Sequence, residues 1–259
     1  MATPTEPSTT DLPTAAKQLV DLHRAGDPLV LVNVWDAATA GRVQAAGAKA
    51  IATSSAAINA SLGQPDTNAS DVELVFAAIR RISDASLVPV TADIEAGYEL
   101  AAPELIERLL AAGAVGCNLE DSDHRRPGEL TDAAAFADRL HDVRAAATAA
   151  GVDVVINARV DTFLRAGDRD PETVVLDTID RGRRYLDAGA TCIYPIRLTD
   201  PGVATRIVDA LPGPVNANVA PGVTVADLAA AGVARVSLGA RPFFVAMTAF
   251  EDVAAQMLG

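Results

Sequence analysis

Thr91-Ala-Asp-Ile-Glu-Ala-Gly-Tyr98 follows directly on the apolar run Ser86-Leu-Val-Pro-Val90. A run of that length and composition reads as a buried strand, and the carboxylates of Asp93 and Glu95 stand two residues apart where it ends. Alternate side chains of a strand share a face, which aims both carboxylates at one spot. Two anions aimed at one spot repel unless a cation lies between them or they share a proton. With oxygen donors alone the cation to expect is Mg²⁺, or Mn²⁺ in its place.

The same pattern of an apolar run followed by polar residues recurs on both sides of this stretch. Strand-like runs lie at 29–34, 49–53, 87–92, 115–119, 153–158, 191–195, 214–218 and 234–238, separated by Ala-rich segments of helical period. Eight βα units is the count of a (β/α)₈ TIM barrel. Ala-Gly-Ala at 46–48, 112–114 and 188–190, and Ala-Gly-Val at 231–233, mark helix ends at which Gly takes the left-handed cap. A doubly wound sheet would carry a Gly-rich phosphate turn after its first strand, where this chain has Trp35-Asp-Ala-Ala38. Pro13 to Ala25 reads as a leading helix stopped by Gly26, and residues 1–12, rich in Thr, Pro and Ser, as a disordered tail. Residues 13–259 then form a single barrel domain.

Composition narrows the function classes. A formal charge of -13 argues against nucleic acid and anionic membrane as partners, so an anionic small-molecule substrate needs local positive charge. Cys117 and Cys192 sit in apolar runs with no disulfide or zinc spacing, which suits a reducing compartment, and no stretch is long and apolar enough to span a bilayer. The tail lacks the basic start and apolar centre of a signal peptide, so the expected location is cytoplasmic.

Barrel chemistry gathers at the C-terminal strand ends. Those ends hold Asn33 and Trp35, Ser54 and Ser55, Asp93 and Glu95, Asn118 and Glu120, Asn157 and Arg159, Tyr194, Asn216 and Asn218, and Gly239 with Arg241. Parity places Thr91, Asp93 and Glu95 on one face, as it does each of the Asn118/Glu120, Asn157/Arg159 and Asn216/Asn218 pairs. The expectation is a polar mouth above a packed barrel. Lys17 lies in the leading helix and Lys49 at the opposite end of the barrel, so no amine is available for a Schiff base. His23 and His141 fall on helices, expected at the surface, and His124 alone lies on a mouth loop; Cys117 has the parity of a core residue. A carboxylate cluster, one arginine and amide donors suit a divalent cation holding a 2-oxo carboxylate while an adjacent bond breaks.

Asn33-Val-Trp-Asp36, Thr53-Ser-Ser55, Leu62-Gly-Gln-Pro-Asp66, Asp93-Ile-Glu-Ala-Gly-Tyr98, Asn118-Leu-Glu-Asp121 and Asn157-Ala-Arg159, in that order, resemble the isocitrate lyase/phosphoenolpyruvate mutase superfamily, over about Leu29 to Phe250. The resemblance implies Asp93 as direct Mg²⁺ ligand, Glu95 and Glu120 holding its waters, and Asp66 completing the acidic shell. It implies that Trp35, Ser54 and the amides of Ser55 and Ala56 receive the substrate carboxylate and oxo group. Arg159 would neutralise substrate charge, and Asn218 would meet a distal carboxylate. It further implies a last helix, near Arg241 to Met257, exchanged between subunits of a homodimer or homotetramer.

The departures bear on the reaction. Most members carry Asp-x-Asp where this chain has Asp93-x-Glu95. The loop Asp121-Ser-Asp-His-Arg-Arg-Pro-Gly-Glu-Leu130 has neither the cysteine of the isocitrate and methylisocitrate lyases nor the Lys-x-Asn of the phosphonopyruvate enzymes, and Pro195 stands near the mutases' histidine. The reading is a Mg²⁺-dependent C–C lyase or decarboxylase of a small 2-oxo or 2-hydroxy di- or tricarboxylate, working through a pyruvate-like enolate. His124, or Arg125 and Arg126, would shield the enolate or deliver a proton. The alternatives are a 2-oxo acid binding protein with negligible turnover and a phosphonopyruvate P–C bond enzyme.

Overall fold

The structure is a computed structural model that describes residues 11–68 and 70–259. Ten residues of the expected tail lie outside that range, but Leu12 does not belong to a tail. It opens α1 (Leu12–Asp21), with Pro13 in the first turn and Ala15, Ala16 and Leu19 buried. The helix ends before the expected Ala25. His23 follows it, half-buried rather than on the surface as expected, with Nδ1 2.8 Å from the Leu19 carbonyl oxygen. Burial and then the charge of Arg235 pull its pKa down to about 4. His141 is exposed on its helix, as expected.

The strands are β1 (Leu29–Leu31), β2 (Asn33–Val34), β3 (Ile51–Thr53), β4 (Val90–Asp93), β5 (Gly116–Glu120), β6 (Val155–Val160), β7 (Cys192–Pro195), β8 (Asn216–Asn218) and β9 (Arg235–Ser237). They pair in parallel in the orders β2-β3-β4-β5-β6-β7 and β1-β9-β8. A bridge from Ile193 to Val215 joins β7 to β8. β1 and β2 are one barrel strand broken at Val32, pairing with β9 on one side and β3 on the other, so the barrel closes.

Helices α2 (Ala37–Ala45), α3 (Ser55–Ser61), α4 (Val72–Asp84), α5 (Ala102–Ala111), α6 (Ala133–Ala149), α7 (Pro171–Asp187), α8 (Pro201–Ala210), α9 (Val225–Ala230) and α10 (Arg241–Leu258) complete the chain. Their apolar stripes, such as Ile79 and Ile82 on α4 and Leu105 and Leu109 on α5, pack against the strands. Asp71, Asp132, Asp170 and Asp200 cap α4, α6, α7 and α8, each cap contributing about 1 kcal/mol. Gly113 shows why the Ala-Gly-Ala repeat matters. Its φ is +79°, and a Cβ there would lie 2.9 Å from Ser83 Cβ.

The expected packed barrel beneath a polar mouth is not what forms. Thr91, Asn118, Asn157, Asn216, Arg235 and Ser237 are all buried. Asn118 Oδ1 accepts from Asn157 Nδ2 at 2.8 Å and from Arg235 Nη2 at 3.1 Å. β5 and β9 are not sheet neighbours, so the Arg235 bond crosses the barrel interior. Polarity therefore reaches a full layer below the mouth, where aliphatic side chains would ordinarily fill the space.

Candidate active site

Asp93 closes β4 as expected. Its backbone N–H donates to Thr53 Oγ1 at 2.9 Å, while its Oδ2 accepts from the Ser55 amide at 3.2 Å and the Ser55 hydroxyl at 3.0 Å. That carboxylate oxygen thus sits at the N-terminus of α3, where the helix dipole favours negative charge. The other oxygen, Oδ1, is buried with no hydrogen-bond partner.

Glu95 is near Asp93 for a different reason from strand parity. β4 ends at Asp93, and Glu95 takes a φ of +51°, with Tyr98 at +54° and Glu99 at +57° close behind. Left-handed backbone at non-glycine residues costs about 1 kcal/mol or more each and gathers at functional sites. The turn swings Glu95 inward to accept from Asn59 Nδ2 at 3.0 Å and Ser70 Oγ at 3.4 Å through Oε1. Oε2 is buried and unpartnered, like Asp93 Oδ1. Burial lifts the Asp93 pKa to about 6, with Arg159 opposing and Glu120 and Asp66 adding to the rise. Burial and then Asp66 lift Glu95 to about 7. Asp66 itself is exposed, held at 3.3 Å from Asn59 Nδ2.

These are the marks of a cation site: all-oxygen donors, two orphaned buried carboxylate oxygens and raised proton affinity. Among the described residues no three acidic, cysteine or histidine side chains converge to ligate one ion together. A Mg²⁺ ion, which keeps several waters, fits such an arrangement by taking one carboxylate directly and reaching others through water.

Glu120, at the end of β5, is already doubly paired. Its Oε1 lies 2.7 Å from His124 Nε2, and its Oε2 forms a salt bridge with Arg159 Nη1. The Arg159 fork also engages Asp161, Nε to Oδ1 at 2.7 Å and Nη2 to Oδ2 at 2.9 Å. Burial opposes the guanidinium charge, but Glu120 and Asp161 hold it firmly protonated. His124 Nδ1 faces the Asn68 N–H at 3.4 Å, so the proton of the neutral ring sits on Nε2, toward Glu120. That bond raises the His124 pKa above its usual 6.5. Arg125 and Arg126, considered as shields of the site, are exposed at the loop tip and pair with Asp123. A cavity of about 510 Å³ lined by Asn68, Glu99, Glu120, His124, Arg125 and Arg139 opens beside this loop.

The substrate-side residues divide. Trp35 is half-buried, its ring edge-on to Phe243 of α10 at 5.2 Å. Ser54 is the N-cap of α3, accepting from the Ala57 amide at 3.4 Å, and the Ser55 and Ala56 amides follow it in that helix's first turn. The Ser55 amide, assigned by resemblance to substrate, here serves Asp93. Asn218 is fully engaged: Oδ1 accepts from the Arg197 amide at 3.0 Å, and Nδ2 donates to the Ser237 carbonyl at 3.0 Å and to Tyr194 OH at 2.8 Å. It fixes Tyr194 rather than standing free for a distal carboxylate. Cys117 is a buried core residue as expected, its thiol pushed up to about 12 by burial.

Asp161, Asn59, Ser70 and Arg235 take part in this constellation without having stood out in the sequence. Arg235 was legible by parity, two residues before Ser237 on β9 as Asn216 is before Asn218 on β8.

Comparison with known proteins agrees with this geometry. The phosphoenolpyruvate phosphomutase family model matches residues 19–258. The 2-methylisocitrate lyase of Escherichia coli K12 is 31% identical over 204 residues, 74% of this chain and 66% of that enzyme. A crystal structure of a Burkholderia cenocepacia J2315 protein, classed provisionally as a phosphonomutase, superposes with a TM-score of 0.89 at 39% identity, over 95% of this chain and 99% of that one. A phosphonopyruvate hydrolase solved with oxalate and Mg²⁺ gives a TM-score of 0.81 at 25% identity, over 94% and 86% of the two chains.

Proposed function

Because the chain belongs to the phosphoenolpyruvate phosphomutase family, an enzyme family of lyases and mutases, we propose that it is a Mg²⁺-dependent lyase or decarboxylase of a small 2-oxo or 2-hydroxy di- or tricarboxylic acid, acting through a pyruvate-like enolate. The observation that carries this reading is the pair of unpartnered, buried carboxylate oxygens, Asp93 Oδ1 and Glu95 Oε2. Asp93 would hold the cation directly, with Glu95 and Glu120 holding its waters and Asp66 completing the acidic shell. A bound divalent cation supplies Lewis-acid stabilisation of the developing oxyanion. With the Ser55 amide given to Asp93 and the Ala57 amide to Ser54, the Ala56 amide and the half-buried Trp35 are left to receive a small, flat carboxylate. Arg159, braced by Asp161 and Glu120, supplies fixed positive charge that needs no reorganisation as the bond breaks.

His124 closes the loop over Glu120, keeping water from the enolate. The absence of a loop cysteine and lysine favours a second reading, a 2-oxo acid binding protein with negligible turnover, and disfavours P–C bond chemistry. Phe244, Phe250, Val253 and Met257 lie exposed on α10, which supports assembly of this chain with itself through that helix. Among the described residues no helix is long and apolar enough to cross a membrane. A cytoplasmic location remains the reading of composition and cysteine usage.

Thermal unfolding with oxalate, a flat enolate mimic, tests the proposal. Stabilisation should require both Mg²⁺ and oxalate, reaching about 2.7 kcal/mol at a hundredfold excess over Kd. Asp93→Ala should abolish that joint shift together with turnover. A joint shift without turnover of any 2-oxo or 2-hydroxy acid would select the binding reading, and no shift would remove both.

A further inference from the structure

We infer that the phenol of Tyr194 is the proton donor of this site, delivering to the enolate carbon the proton that the cysteine-free loop does not carry. The assignment rests on the lyase reading above and names a residue for its last step. Tyr194 lies on β7 beside Arg159 of β6, its strand neighbour in register, and is buried at 3% exposure. Its oxygen accepts a hydrogen bond from Asn218 Nδ2 at 2.8 Å. The direction of that bond is fixed by the backbone. Asn218 Oδ1 takes the Arg197 N–H, and Nδ2 must face the Ser237 carbonyl, so a flipped amide would set donor against donor and acceptor against acceptor. With its lone pair occupied by Asn218, the phenol keeps its own O–H to give, and among the described residues no acceptor takes it. Arg159, its partner in register, shares its face of the sheet, so the Tyr194 ring is directed to the same interior side as the guanidinium.

The rival donors are otherwise committed. The His124 Nε2 proton is held by Glu120 at 2.7 Å. Tyr98, also unpartnered at its hydroxyl, packs edge-on against Phe76 of α4, and burial together with the neighbouring Glu95 and Asp93 carboxylates pushes its pKa well above an ordinary phenol's. His23 follows α1 outside the mouth, and both cysteines are buried thiols.

In decarboxylation the C–C electron pair stays on the enolate fragment as CO₂ departs. In cleavage of a 2-hydroxy acid the substrate hydroxyl gives its proton to water, its O–H electron pair forms the carbonyl of the departing aldehyde or keto acid, and the C–C pair again stays on the enolate fragment. The Tyr194 O–H bond then breaks as a C–H bond forms on that fragment. The resulting phenolate is held by the Asn218 N–H and the charge of Arg159, and it regains a proton from water as product leaves.

The experiment compares wild type, Tyr194→Phe, Asn218→Asp and Tyr98→Phe. Each is assayed on oxaloacetate and a panel of 2-hydroxy di- and tricarboxylic acids, corrected for the Mg²⁺ background, and for the thermal shift with oxalate and Mg²⁺. Tyr194→Phe should lower kcat about a hundredfold or more, the ordinary contribution of a positioned proton donor. Its oxalate shift should persist, because oxalate needs no proton. Asn218→Asp sets an acceptor where a donor stood, turns the phenol proton away from the mouth, and should lower kcat in the same way. Tyr98→Phe should match wild type. Tyr194→Phe turnover within threefold of wild type, or loss of its oxalate shift along with its turnover, overturns the assignment. A wild-type chain that turns over no acid of the panel overturns the lyase reading, and the assignment with it.

Discussion

Glu95→Gln should make the metal-free protein more stable at alkaline pH while destroying its response to Mg²⁺. Glu95 titrates near 4.5 when free and near 7 in the fold, because burial and then Asp66 oppose its charge. Between those values the native state binds the proton more tightly than the unfolded chain, so stability falls as pH rises through that window. At ~1.4 kcal/mol per pH unit the ionised side chain costs at most about 3 kcal/mol above pH 7, and about 2 after allowing for water around the open mouth. Glutamine keeps an oxygen for the Asn59 and Ser70 donors and replaces the unpartnered anionic Oε2 with a neutral amide. A gain of about 2 kcal/mol in a chain of this size raises Tm by roughly 4–8 °C. Calorimetry of metal-free wild type and variant from pH 4 to 8 should show curves that meet below pH 4.5, separate between there and about 7, and then run parallel. Saturating Mg²⁺ should then close or reverse the gap by stabilising wild type alone. A variant less stable than wild type at pH 8 without metal, or a gap that does not change with pH, would refute the electrostatic account of this carboxylate.

Two further outcomes follow from the same geometry. His124→Ala removes the tie between the loop and Glu120, so trypsin should cut after the exposed Arg125 several times faster. Because Glu120 raises the His124 pKa, the tie is complete below about 6.5 and weakens as pH rises through the higher folded value, so wild-type cleavage should also quicken above neutrality. Phe250→Glu, at a side chain 68% exposed, should leave the stability of the isolated chain unaltered and shift sedimentation to the monomer; an unchanged assembly would place the subunit contact elsewhere.

The barrel was legible in the sequence because its determinants are local. Strand runs announce themselves by apolar content, and helix ends by glycines such as Gly113, whose left-handed backbone and contact with Ser83 exclude a side chain. Strand parity likewise placed Asp93, Glu120 and Arg159 at one end of the barrel, since alternation is a property of a strand alone. Parity misplaced the cause at Glu95, where the strand had already ended and a left-handed turn took over. It also missed what each polar group is bonded to. Asn218 looked available for substrate until the Arg197 amide, the Ser237 carbonyl and Tyr194 claimed all of its bonds. His124 looked able to deliver a proton until its Nε2 was found bonded to Glu120. Arg235 and Asn118 are 117 residues apart and meet only across the closed barrel. Periodicity fixes which way a side chain leaves its own element. Which partner it finds depends on elements distant in the chain, and on the buried environment that makes an unmade hydrogen bond or a lone charge costly.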